Sequence, residues 1–272
     1  MKLLSFIADV SWIYPDSNFL MYLRSFPLDI RLLYFNRYSS LRYKTCTLII
    51  NAKTELALRY NDISPLENHH CSIAFEILEK KHCNIFANLT KEQYRRVREG
   101  MIKCILATDM AKHNEIVDNF KAILDVFDFN DKEHKYLLLM ILLKTADISN
   151  EVRPLEVAEP WIERLLEEFF IQSDIEKLEG LPVAPFMDRE KVTKSSSQIG
   201  FIKYVLLPLF EALGTLLPVI QNDIIEPVRN ALDYYTQMNN ALEEEKEKEK
   251  KLANEKNKQN GLTNKMNGDI KV

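Results

Sequence analysis

The segment Lys144-Thr145-Ala146-Asp147-Ile148-Ser149-Asn150-Glu151 sets a carboxylate close behind the apolar run Tyr136–Leu143. A carboxylate in such company must be hydrogen-bonded, paired with a charge or bound to a cation, because a bare buried charge is strongly destabilising. Asn150 and Glu151 follow at three and four residues, so the three share one face of a helix or of its last turn. Spacing alone leaves two roles open for Asp147: ligand to a divalent cation, or acceptor of neighbouring backbone donors. Further on, Gln198 and Phe201 are three apart and point the same way. A glutamine amide offers one donor and one acceptor, which matches a purine edge, and a phenylalanine ring can stack on the purine face. Leu165 and Phe169, spaced i,i+4, would form an opposing apolar wall, although a stripe of this kind also serves as ordinary core.

These side chains need helices to hold them, and residues 51–240 read as a run of amphipathic helices. Ser64-Pro65-Leu66-Glu67 has the form of a capping box with proline at the first helical position. Leu66, His70, Ile73, Ala74, Ile77 and Leu78 then repeat at threes and fours as one inward stripe. Thr90-x-x-Gln93 opens the next helix in the same way, with Tyr94, Val97, Met101 and Ile105 inward. Ile116, Phe120, Ile123 and Leu124 mark a shorter helix. Tyr136–Leu143 is apolar all round and belongs at the centre of the bundle, with Pro154 ending that helix. Another helix runs to about Lys177 past Pro160, Gly180 to Met187 is a loop, and two later helical tracts bend at Pro208 and Pro227. No strand pattern emerges, so the class is all-α.

Composition narrows the partners. The 272 residues are 46% hydrophobic with only six glycines, enough for a substantial core. A net charge of −4 with mixed signs gives no footprint for nucleic acid. The four cysteines (Cys46, Cys71, Cys83, Cys104) form no C-x-x-C pair and read as reduced, which suits a cytoplasmic location. Asp9 interrupts the apolar start of the chain, against a secretory signal. Tyr136–Leu143 is too short to cross a bilayer, so no transmembrane segment is expected. Residues 1–50 are aromatic-rich without helical or alternating spacing and form a segment apart. Residues 241–272 form a charged, low-complexity tail, either a solvated helix or disordered.

Five stretches, in order, resemble a class I 3′,5′-cyclic nucleotide phosphodiesterase: Asn51 to His70, Leu106-Ala-Thr-Asp-Met-Ala-Lys-His113, Lys144 to Pro154, Glu179 to Asp188, and Gln198-Ile-Gly-Phe201. Within the family the type-nine, cGMP-specific branch is most similar. The resemblance implies an all-α, compact multi-helix catalytic domain over residues 51–240. It implies hydrolysis of cGMP to 5′-GMP by in-line attack, with Zn2+ and Mg2+ (or Mn2+) as cofactors and a histidine protonating the departing O3′. By the same resemblance Asp147 is a zinc ligand that also borders the nucleotide, and Glu67 and Thr108 hold metal-bound water. Gln198 grips the purine between Phe201 and Leu165, and Asn150, Phe169, Met110 and Phe186 complete the pocket. Phe169 stands where the type-nine branch carries tyrosine, so a ring is kept and a hydroxyl lost. The partner implied is a cyclic nucleotide, cGMP favoured over cAMP, and a homodimer is compatible with the family.

The family's H-N-x-x-H and H-D-x-D-H motifs, which supply the proton donor, two histidine ligands and the first aspartate, precede the position of Asn51. Here no histidine precedes His69, and the five histidines (His69, His70, His82, His113, His134) fall in neither motif. His69, His70 and His113 match positions flanking the site and read as packing and hydrogen-bonding residues. Of the four protein ligands implied for zinc only Asp147 is matched, and one carboxylate does not make a tetrahedral site. The expectation is therefore a phosphodiesterase domain truncated on its N-terminal side, which does not turn over by itself. The alternative is a non-catalytic truncated isoform that binds nucleotide weakly or dimerises with full-length enzyme.

Overall fold

The computed structural model describes residues 46–268, with side chains from 47 to 251; most of the expectation for residues 1–50 lies outside them. Ten α-helices follow one another: α1 (Cys46–Asn51), α2 (Glu55–Arg59), α3 (Pro65–Leu78), α4 (Lys91–Leu106), α5 (His113–Ile123), α6 (Lys132–Asp147), α7 (Leu155–Leu178), α8 (Lys194–Phe201), α9 (Leu207–Leu216) and α10 (Glu226–Gly268). Among the described residues there is no strand, as the absence of a period-two pattern implies.

α6 is central. It packs against α4, α5 and α9, and Leu138, Leu139, Ile141 and Leu142 are buried in it. The main core joins Phe120 of α5 to Leu138 and Ile141 of α6, Ile162 of α7 and Leu209, Phe210 and Leu213 of α9. α6 nevertheless ends at Asp147 rather than at Pro154. Ser149 Oγ donates to Ala146 O at 2.8 Å, the chain tightens into a 3-10 turn at Ser149–Val152, and Pro154 becomes the residue that leads into α7.

The start of α3 differs from the expected capping box. Ser64 adopts a left-handed conformation (φ 42°, ψ 56°) and makes no side-chain cap. Its hydroxyl donates instead to Asp109 Oδ2 at 2.7 Å, 45 residues away. A buried carboxylate accepts a hydroxyl proton more strongly than the helix start can engage that hydroxyl. Asn61 and Asp62 also have positive φ, so the α2–α3 corner is a tight reversal, and Lys53 turns the chain in the same way between α1 and α2.

The buried face of α3 is likewise rotated from the expected stripe. Glu67, Cys71, Ala74, Phe75 and Leu78 are buried, whereas Leu66, His70, Ile73 and Ile77 are half-buried. α3 is apolar around much of its girth, so its partner chooses the face: α4 presents Met101 against Phe75 and Leu78, and Ile105 against Cys71 and Ala74. The cap of α4 is as expected. Thr90 Oγ1 accepts from Gln93 N at 3.3 Å and Gln93 Oε1 accepts from Thr90 N at 2.9 Å. Thr90→Ala should cost about 1 kcal/mol of stability, read as a lower urea midpoint at unchanged slope.

Pro208 and Pro227 do more than bend their helices. Each follows a π-helical turn, Ile202–Leu206 and Gln221–Ile225. A proline withholds its N–H and its ring crowds the carbonyl four residues back, so the preceding turn widens. The hairpin between these turns is closed by Gly214, where a Cβ would meet Ile225 Cδ1 at 2.6 Å. α7 ends in a Schellman turn, with Gly180 at φ 67° and Leu181 N donating to Glu176 O at 2.8 Å.

The charged tail begins inside α10, which runs unbroken past residue 241 to Gly268. The most membrane-like stretch is not Tyr136–Leu143 but Lys194–Leu216, with a mean hydropathy of 1.5 over its best window. Its Ile202, Leu206, Leu209, Phe210 and Leu213 are fully buried in the main core.

Candidate functional site

Lys144 organises one side of the site. It is 2% exposed, and its Nζ donates to Ala107 O at 2.8 Å. Burial pulls its pKa below the usual lysine value, while the carboxylates of Asp147, Asp109 and Glu67 oppose that pull. Asp109 and Glu67 are themselves buried. Asp109 Oδ2 takes the Ser64 hydroxyl and Oδ1 accepts from Ala111 N at 2.9 Å, starting the Met110–Lys112 turn. Asp147 is half-buried at the last position of α6. A helix C-terminus disfavours an anion, and the ammonium one turn back offsets this. The fold thus gathers the predicted Asp147 and Glu67 around a lysine. Lys144 and Asp109 stand inside the motifs quoted above, but sequence reasoning gave neither a role. A lysine directly behind Tyr136–Leu143 was the available signal, since an ammonium there must face acids. Thr108 Oγ1 donates to Ile105 O at 2.8 Å, which ties its proton to its own helix end.

Among the described residues the donor set does not fit a pair of metal ions. No three of His, Cys, Asp and Glu come together among them as a cation would require. The positive charge among Glu67, Asp109 and Asp147 is the ammonium of Lys144.

The residues expected to face a purine lie on α7 and α8, in the turns that precede α7, and at Met110 and Phe186. Gln198 is 3% exposed and its Oε1 has no hydrogen-bond partner. A buried amide oxygen held without a donor is costly unless something supplies one. Register along α10 is set by Ser195 Oγ, which donates to Asn239 Oδ1 at 3.0 Å. Phe201 is half-buried, as are Leu165 and Phe169. Phe169 meets Phe186 edge-on at 6.2 Å. Phe186 and Met110 are exposed. Asn150 Nδ2 donates to Ala158 O at 3.2 Å and to Glu151 Oε1 at 3.3 Å, so its amide pins the 3-10 turn to α7. A cavity of about 410 Å³ lies elsewhere, between α3 and α4, lined by Asn68, Cys71, Ser72, Phe75, Arg98 and Ile102.

Two buried groups escaped the candidate residues. Glu151 is 4% exposed, its Oε2 has no partner, and burial pushes its pKa up to about 7. Tyr235 of α10 is fully buried, with its hydroxyl also without a partner. The field of Glu151 reaches it, so the two share a poorly solvated region.

The described residues form an all-α bundle that keeps the amide oxygen of Gln198 buried without a hydrogen-bond partner. The sequence description of the 3'5'-cyclic nucleotide phosphodiesterase family matches residues 45–228, and the chain belongs to that family. The match starts six residues before Asn51, taking in α1. Over 190 residues the chain is 63% identical to the "High affinity cGMP-specific 3',5'-cyclic phosphodiesterase 9A" of Drosophila melanogaster, covering 70% of this chain and 12% of that protein. Over 192 residues it is 60% identical to the protein of the same name from Mus musculus, covering 71% and 36%. The chain therefore spans well under half the length of these relatives. Among solved structures, LmjPDEB1 in complex with IBMX superposes with a TM-score of 0.77 at 26% identity, covering 87% of this chain and 70% of that one. The phosphodiesterase domain of Salpingoeca rosetta rhodopsin phosphodiesterase superposes with a TM-score of 0.71 at 30% identity, covering 85% and 74%.

Proposed function

We propose that the protein is a cGMP phosphodiesterase by descent, and that residues 51–240 carry the purine-recognition half of its catalytic domain. The observation that supports this most directly is Gln198: a buried amide oxygen without a donor, on a helix that also offers the ring of Phe201. The amide would pair with the purine edge, Phe201 and Leu165 would hold its faces, and Phe169, Phe186, Asn150 and Met110 would complete the rim. cGMP is favoured over cAMP because both cited relatives are described as cGMP-specific. The amide itself reads either purine by flipping.

Hydrolysis in this family calls on Zn2+ and Mg2+ or Mn2+, for which Asp147 is the matched ligand and Glu67 and Thr108 the matched holders of water. The described residues do not assemble that donor set, and no histidine precedes His69. This favours the second reading, in which the chain by itself binds cyclic nucleotide, alone or paired with a full-length subunit in the cytoplasm, without turning it over.

Calorimetry with cGMP and a hydrolysis assay on the purified chain test both readings. cGMP binding without turnover is expected, and Gln198→Ala should weaken binding about tenfold or more. Affinity unchanged in Gln198→Ala removes the purine assignment. Clear turnover lost in Asp147→Ala removes the non-catalytic reading.

A further inference from the structure

Residues 179–193 join α7 to α8, and the middle of this loop is tied back along the second half of α7. Asp188 is 2% exposed. Its Oδ1 accepts from Lys177 Nζ at 2.8 Å and from Glu190 N at 3.1 Å, and Lys191 Nζ lies 3.5 Å from Oδ2. Lys177 Nζ also donates to Glu190 Oε2 at 3.1 Å. One residue before Asp188, the buried Met187 accepts at Sδ from Gln172 Nε2 at 3.5 Å. One residue after it, Arg189 pairs with Asp174 at 2.8 Å and sets its guanidinium 5.2 Å from the centre of the Phe170 ring. Three consecutive loop residues therefore grip three different side chains of α7.

These ties differ in weight. The Arg189–Asp174 pair is exposed on both sides and holds weakly. A thioether is a weak acceptor, so the Met187 contact is chiefly packing. Asp188 is different, because a carboxylate so far from water is stable only while its charged and amide donors stay in place. Without the ammonium of Lys177, the loop can rehydrate that acid by lifting off α7, and the helix itself need not unfold. Just before this grip comes the 3-10 turn Pro185–Met187, which packs against α7. It carries Phe186, edge-on to Phe169 at 6.2 Å. Phe186 is 55% exposed, so its own packing does little to fix it, and the buried Met187 and Asp188 that follow must do so.

We propose that Lys177 is a positioning residue for the ligand site: by neutralising the buried Asp188 it clamps residues 179–193 to α7, and so sets where Phe186 stands against Phe169. The inference rests on the purine assignment above, in which those two rings border the ligand. It predicts that removing the ammonium changes loop mobility and ligand affinity more than it changes the fold.

The full chain is compared with Lys177→Met, which keeps the aliphatic stem and loses the charge, with Lys177→Arg, which restores a cation, and with Phe186→Ala. In Lys177→Met the amides of Met187, Lys191 and Val192, each hydrogen-bonded within the loop, should exchange about tenfold faster while α6 amides stay protected. cGMP titration should show about fivefold weaker binding for Lys177→Met and near-parental affinity for Lys177→Arg. Because the effect runs through Phe186, adding Lys177→Met to Phe186→Ala should weaken binding no further than Phe186→Ala alone. Unchanged exchange in Lys177→Met overturns the proposal, as does parental affinity in that variant. Failure of Lys177→Arg to recover the affinity overturns it too, as does a fully additive loss in the double variant. If the parent chain binds no cGMP, the purine assignment falls and takes the positioning role with it, while the exchange experiment still decides whether Lys177 clamps the loop.

Discussion

Replacing Lys144 by Met is expected to lower the unfolding free energy by on the order of 3 kcal/mol, a shift easily seen in a urea midpoint. Methionine keeps most of the aliphatic stem, so little packing is lost and the change isolates the ammonium. Two effects oppose each other. Burial penalises the charged lysine, as its lowered pKa shows, and removing it relieves that penalty. Against this, Glu67 and Asp109 stay buried without the cation that faces them, and Asp147 stays at the negative end of α6. Ala107 O also loses its 2.8 Å donor. Removing one member of a buried charged set usually costs more than its own desolvation returns, so destabilisation wins. Adding Asp109→Asn separates the causes. If the acids are what suffers, Lys144→Met with Asp109→Asn should lose clearly less than the sum of the two single variants. Strict additivity would show that Lys144 acts through packing alone.

The second large effect depends on pH and sits at Glu151. Its pKa is raised from 4.5 to about 7 by burial, with the Asn150 amide opposing weakly. In the unfolded chain the carboxyl loses its proton near 4.5, and in the folded chain only near 7. Between those values the folded state binds more protons, so stability falls as pH rises, and above 7 the full penalty stays in place. The gap corresponds to about 3 kcal/mol. Glu151→Gln keeps the shape and the acceptor for Asn150 without titrating. The stability difference between Glu151→Gln and the parent should therefore grow in the variant's favour by about 3 kcal/mol from pH 4 to pH 8. Urea unfolding at several pH values measures it, and other titrating groups cancel in the comparison. A difference that stays flat with pH would mean that Glu151 reaches water more freely than its 4% exposure indicates.

Much of the helical framework was legible in the residues. Thr90 and Gln93 state a helix start that local chemistry alone enforces, and the all-apolar Tyr136–Leu143 has only one comfortable place, the centre. The prolines at 208 and 227 announced bends, although the widened turns before them depend on neighbours that accept the extra girth. What was hidden depends on distance along the chain. Ser64 looks like a cap until Asp109, 45 residues on, competes for its hydroxyl. α3 offers more than one apolar face, and only the bulk of α4 decides which is covered. At the site, the shared face of Gln198 and Phe201 could be read from a spacing of three. The solvation of Asp147 could not, because it turns on where α6 stops and on a lysine whose own burial is a tertiary fact. Glu151 had the right spacing but no local mark of its deep seclusion.

The hydrogen that stands in for a side chain at Gly214 has a mechanical meaning. Ile225 Cδ1, in the widened turn before α10, occupies the space a methyl on α9 would need. The hydrogen at Gly214 thus lets α9 and the root of α10 come closer than any side chain there would allow. A bulkier residue at this one glycine would therefore have to push Ile225, and with it the turn from which the long α10 springs, away from α9.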